Sequence, residues 1–222
     1  MYRPFFISHK MEKSKSSPLA KLIEHIEENI LPLYDTFDKA HDRVHAMTVI
    51  SQSLQLAQHF DVERTMVYTI AAYHDLGLSE GRETHHTASA RIVRSDTRLK
   101  SFFTPQQIEI MADAVEDHRA SNSRPPRTIY GKIVAEADRI IDGTTIMRRT
   151  VQYGLSHHPT LSREQHIERA VQHITEKYGK EGYLKLWIPQ SPNAANLEEF
   201  RKLIEDETEL RRRLECIYRE EA

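Results

Sequence analysis

Helix-start signals recur from one end of this chain to the other. Between them apolar residues return every three or four positions, so the sequence has few ways to fold except as packed helices. Ser17-Pro18 puts a side-chain acceptor at an N-cap and a fixed φ at the first helical position. The helix behind it carries Leu19, Leu22, Ile23, Ile26 and Ile30 on one face. Thr104-Pro105-Gln106-Gln107 adds a capping box, and its helix runs through Ile108, Met111 and Val115 to His118. Ser162-Arg163-Glu164-Gln165 repeats the box for a helix to about Tyr178, and Asn196-Leu197-Glu198-Glu199 does so for a last helix. With Asp61 and Thr84 as further N-caps, helices are expected over about 40–59, 62–75, 84–95 and 129–142. Between the last two boxes Pro189 and Pro192 impose a loop over residues 187–193. Seven glycines among 222 residues fit the same reading, and the expected class is all-α.

Composition narrows the function classes. Charged residues are 29% and hydrophobic ones 39%, with a mean hydropathy of -0.61, as in a globular chain with a real core. Thirty-one basic against 33 acidic residues leave a net charge of -2, so no global field for polymeric nucleic acid is expected. No stretch approaches the roughly 18–20 apolar residues of a membrane span, and Phe5-Phe6-Ile7 is too short for a signal-peptide core. Residues 1–16 read as a flexible tail. Cys216 has no partner for an intramolecular disulfide, which fits a cytoplasmic address.

Thirteen histidines exceed what a core needs, and six of them, His41, His45, His59, His74, His85 and His86, crowd into one region. His74-Asp75 closes the apolar helix MVYTIAAYHDLG, where an imidazole and a carboxylate offer two ligands to one divalent ion. Adjacent side chains on a helix diverge by about 100°, so the pair converges only on an ion lying between them. His41-Asp42 shows that the dipeptide alone decides nothing. In GKIVAEADRIID, Ile133, Val134, Ala137, Ile140 and Ile141 form the apolar face, and Asp138 lies beside it. A carboxylate there needs a cation, either a metal or an arginine such as Arg139.

The ordered set, His45 in HAMTVISQSLQLA, His74-Asp75 in AAYHDLG and Asp138 in AEADRI, resembles the HD-domain superfamily of metal-dependent phosphohydrolases over roughly residues 40–150. The resemblance implies an HD-type helical bundle whose His45, His74, Asp75 and Asp138 hold a divalent transition metal (Mn, Fe, Ni, Co or Zn) for hydrolysis of a phosphate ester or anhydride. In the two-metal subset a histidine opens the next helix before small residues and another ends the helix after it. His85, followed by Ser89 and Ala90, and His118 occupy those places, so one ion or two are expected, with Asp75 bridging a pair. His86 rivals His85, since the sequence does not fix which imidazole turns inward.

Phosphate needs further positive charge. Arg82, Arg119 and Arg148, with His86, are the candidate substrate contacts, and Arg124, Arg127 and Lys132 a candidate rim. Glu83 and Glu116, beside Asp75, are candidates for a general base or for orienting a ligand histidine; the alternative is a place on helix surfaces. His157, His158, His166 and His173 read as loop and helix-surface residues. The expected organisation is the tail, a metal core over 17–155, and C-terminal helices over 156–222 packing on it. The expected activity is hydrolysis of a small phosphorylated substrate, of the nucleotide class, through metal-activated water, by a monomer or homodimer away from membranes. Non-catalytic alternatives are a metal- or nucleotide-binding sensor with the same fold and a helical interaction module.

Overall fold

A computed structural model of the chain describes residues 17–38, 41–122 and 124–222; the tail expected over 1–16 lies outside them. The described residues contain ten α-helices and no strand. They form two compact units, one ending at Asp138 and the other spanning Arg139–Ala222. No helix among them is long and apolar enough to cross a membrane.

The first unit holds α1 (Pro18–His25), α2 (Arg43–Leu56), α3 (Arg64–Tyr73), α4 (His85–Ser95), α5 (Pro105–Asp117) and α6 (Ile129–Asp138). The expected caps explain several of these starts. Ser17 Oγ accepts from Ala20 N at 3.1 Å, and Thr104 and Gln107 complete a reciprocal box. Asp42 rather than a residue near 40 caps α2, accepting from His45 N at 3.0 Å. Asp61 does not cap α3, whose N-cap position is Glu63. Thr84 precedes α4 without a side-chain cap bond. After α1 the backbone widens over Ile26–Ile30 and tightens into a 3-10 helix over Leu31–Thr36, where Pro32 cannot continue an α-helical bond pattern.

Every residue of α3 from Met66 to Tyr73 is buried. A helix apolar on all sides belongs inside a bundle, and α3 packs against α2, α5 and α6. Its C-terminal end is thereby delivered to the interior. α4 pairs with α5 and with the short 3-10 helix Leu76–Glu80 that follows α3. The latter contact depends on Gly77. A Cβ there would overlap the carbonyl oxygen of His85 and lie 2.5 Å from Ser89 N and 2.7 Å from Ala88 Cβ, while Gly77 N donates to Ser89 Oγ at 2.8 Å. A polar clamp ties α1 to this assembly: Tyr73 Oη donates to Asp96 Oδ2 at 2.6 Å, and His25 Nε2 lies 3.1 Å from the same oxygen.

The second unit comprises α7 (Gly143–His157), α8 (Arg163–Tyr178), α9 (Pro192–Glu205) and α10 (Glu207–Glu221). The division falls after Asp138 rather than near 155 because α7 packs on α8 and α10. Ser162 and Gln165 form the expected box. Asn196 does not open a helix: Ser191 caps α9 with Pro192 at its first position, the same device as Ser17-Pro18. Asp206 then breaks the expected single last helix in two, its carboxylate accepting from Glu209 N at 3.0 Å. His166 is buried, with its ring 5.6 Å from that of Tyr218, not a surface residue.

Two measurements follow. Gly77→Ala should destabilise the first unit by about 3 kcal/mol, because backbone atoms of α4 cannot yield as a side chain can; urea unfolding reads this. Burial alone would raise Asp96, but hydrogen bonds from Tyr73, Arg98 N and His25 hold it below its ordinary value. A depressed carboxylate stabilises the fold above its unfolded pKa, about 3.9, and loses that contribution as pH falls through the lower folded value. The stability gap between wild type and Asp96→Asn should therefore narrow as pH drops below about 4, measured by chemical unfolding across pH.

Candidate metal centre

The six histidine and aspartate residues singled out in the sequence converge, and each sits at or next to a helix end. His45 lies in the first turn of α2, His74-Asp75 directly after α3, His85 at the start of α4, His118 directly after α5, and Asp138 at the end of α6. The ends of α3, α5 and α6 are C-terminal, the negative poles of helix dipoles, which favour a cation.

Two groups of donors form. His45, His74 and Asp138 make one, and Asp75, His85 and His118 the other. In the first, His45 Nε2 is 3.1 Å from Asp138 Oδ1 and 3.3 Å from His74 Nε2, and His74 Nε2 is 3.8 Å from Asp138 Oδ1. Asp75 Oδ2 joins this group, 3.2 Å from His74 Nε2 and 3.7 Å from His45 Nε2. Its other oxygen, Oδ1, faces the second group, 3.4 Å from His118 Nε2 and 3.6 Å from His85 Nε2, which are 3.2 Å from each other. Donors about 2.1 Å from one ion lie about 3.0 Å apart at right angles and about 3.4 Å apart at tetrahedral angles. The spacings in both groups suit that requirement.

The tautomers also fit. Nδ1 of His74 is 2.8 Å from Ala71 O, that of His85 is 2.7 Å from Arg82 O, and that of His118 is 2.6 Å from Val115 O. A carbonyl only accepts, so each Nδ1 carries hydrogen and each Nε2 can turn a lone pair to the centre. Two bare lone pairs 3.2 Å apart repel unless a proton or a metal sits between them.

Charge points the same way. Burial alone would lower His74, but the Asp75 carboxylate beside it pushes it up to about 9. Burial would raise Asp75, which His74 and His118 nevertheless hold well below the ordinary carboxylate range. Asp138 is likewise held low against its burial, first by the hydrogen bond with His45. Burial and the neighbouring His118 push His85 down to about 4, leaving it neutral at pH 7. Two ionised carboxylates among imidazoles thus hold a proton on His74, a place a divalent cation fills with more charge. The donor set fits nitrogen- and oxygen-binding transition metals.

The remaining candidates are distributed differently. His86 lies one residue outside the cluster, half-buried, its Nδ1 buried without a hydrogen-bond partner among the described residues. His85 is the imidazole that joins the donors. Arg82 is exposed and Nη2 is 3.4 Å from His41 Nε2. Arg119 donates to the carbonyl of Glu83, whose side chain is exposed. Glu116 is engaged by Arg127 at 2.8 Å and Arg124 at 3.5 Å. These arginines do not form a free rim: both also reach Asp117, and Arg127 reaches Asp113. Arg148 belongs to the second unit, where Glu220 and Glu221 take its guanidinium. Asp138 pairs with His45, Oδ1 to Nε2 at 3.1 Å.

Three residues near the centre were given no role by the sequence reading. His41 supports Arg82 and bonds Asp38 at 2.8 Å; its position four residues before His45 was the available signal. Asp117 is buried and accepts from Arg127 N at 2.7 Å, fixing the turn after α5. Tyr34 touches the His74-Asp75 step from a segment with no motif of its own.

No curated protein and no solved structure matches the chain. The sequence model of the HD domain does, over residues 43–141, a span that contains all six converging residues. Over that stretch the chain is similar to the HD domain, an all-α fold.

Proposed function

We propose that this protein is a metal-dependent phosphohydrolase that cleaves a phosphate ester or anhydride of a small nucleotide. His45, His74, Asp75 and Asp138 would hold one divalent ion, and Asp75, His85 and His118 a second. The observation that carries the reading is the Asp75 carboxylate, with one oxygen toward each histidine set. A carboxylate placed only to neutralise His74 would have no need of two more imidazoles on its far side. When bound, such ions supply Lewis acidity and bring the pKa of a coordinated water toward neutrality.

The chain's own groups divide the rest of the work. Asp138 and His85 are the more open members of the cluster, with side chains 25% and 14% exposed against 0% for His74 and 2% for His118. A substrate phosphate therefore approaches on the side of Asp138 and His85. Arg82, close in sequence to His85, and Arg119, just after α5, would supply the guanidinium groups that pair with phosphate oxygens. His86 adds a neutral donor or acceptor; burial, then the nearby Arg119, holds its pKa down. Glu83 is the better candidate for a general base because its carboxylate faces solvent, whereas Glu116 is committed to arginines. The nucleotide is the substrate type commonest in the superfamily the chain resembles, and Mn, Fe, Ni, Co and Zn all suit these ligands.

Elemental analysis of gently purified protein, paired with hydrolysis assays on nucleotides and p-nitrophenyl phosphates, tests this. Wild type should carry close to two transition-metal ions per chain. Joint replacement His85→Ala and His118→Ala should leave one, and Asp75→Ala should lose metal and turnover together with its helical circular dichroism intact. Unchanged turnover in Asp75→Ala would remove the mechanism.

A further inference from the structure

We infer that Tyr34 is a positioning residue of the metal centre: its hydroxyl holds the backbone of Asp75 off the helix so that the carboxylate can face both histidine sets. The inference rests on the two-ion reading above and adds to it a residue that lies before the matched HD span.

The geometric problem is local. On a continuous helix the side chains of His74 and Asp75 would diverge by about 100°, yet His74 Nε2 and Asp75 Oδ2 meet at 3.2 Å. The backbone resolves this by leaving the helix. His74 keeps φ −54° and ψ −40°, but Asp75 adopts φ −108° and ψ 5°, outside the helical range. Leaving the helix also disturbs backbone bonding in a buried place, where an unpaired N–H or C=O is costly.

Side chains supply the bonds. The Ala71 carbonyl, the ordinary helical acceptor for Asp75 N–H, receives Nδ1–H of His74 at 2.8 Å. Tyr34, fully buried, bridges what is left: its hydroxyl donates to Ala72 O at 3.0 Å and accepts from Asp75 N at 3.3 Å. Its ring lies beside that of His74, centroids 6.3 Å apart and planes 29° from parallel. One phenol thus satisfies both the end of the helix and the first residue beyond it.

The consequence is unequal for the two sets. Without Asp75 the first set keeps three donors, His45, His74 and Asp138, whereas the second keeps only His85 and His118. Loosening Asp75 should therefore weaken the second ion first.

Cobalt(II) titration of metal-free protein, followed by absorption, compares wild type with Tyr34→Phe and with Tyr68→Phe, which removes another tyrosine hydroxyl, from α3. Tyr34→Phe should bind the second cobalt about tenfold more weakly or worse, in the range known for groups that orient metal ligands. Its first cobalt and the Tyr68→Phe protein should match wild type. Two cobalt ions bound equally well by wild type and Tyr34→Phe would overturn this inference alone; wild type that binds none would overturn the two-ion reading and the inference with it. Amide hydrogen exchange gives a measure independent of how the variant folds. The Asp75 N–H should be protected in metal-free wild type, and free exchange there would overturn the inference.

Discussion

The structure turns on the burial of one carboxylate. Asp75 is 3% exposed and ionised, surrounded by imidazoles of which three have their Nδ1 hydrogens committed elsewhere. A charge in that position cannot be left uncompensated. The helices around it are arranged so that donors, not apolar side chains, close over it. The all-buried character of α3 serves the same demand, since a helix embedded on every side carries its end into the interior.

A single device orients three of the four histidines. His74, His85 and His118 each give Nδ1–H to the carbonyl three residues earlier. For His74 and His118 that carbonyl belongs to the last turn of a helix, where acceptors lack intrahelical donors. Placing a histidine just past a helix end therefore gives that carbonyl a side-chain donor, fixes the tautomer and aims Nε2 in one stroke. The reliance on helix ends explains why the centre draws on five helices while adding few residues that serve it alone.

What the sequence made legible was what is local or periodic. Ser17-Pro18 and the boxes at Thr104 and Ser162 read correctly because a cap is decided within four residues. His74-Asp75 and Asp138 stood out because they sit on apolar helices, whereas His45, His85 and His118 were picked out as ligands through the resemblance to the HD-domain superfamily. Asn196 misled because its box pattern is real, while Ser191-Pro192 was absorbed into a loop on account of its proline. The pairing of Glu116 with Arg127 crosses a turn whose path no spacing rule gives, and so two candidate contacts cancelled each other. Tyr34 was invisible for a similar reason: its hydroxyl matters only once the chain 41 residues later passes beside it. The choice between His85 and His86 was likewise a matter of rotation about α4, set by the close packing at Gly77.

The donors of the centre come from positions 45, 74–75, 85, 118 and 138, so anything bound there fastens together stretches of chain separated by long loops. Closing such loops costs entropy that an unfolded chain recovers when the fastening is removed. An ion held there would thus be a term in the folding equilibrium as much as in the proposed chemistry. A cell short of the preferred metal would hold not merely idle protein but protein that opens more often, and the lifetime of the chain would report the metal supply.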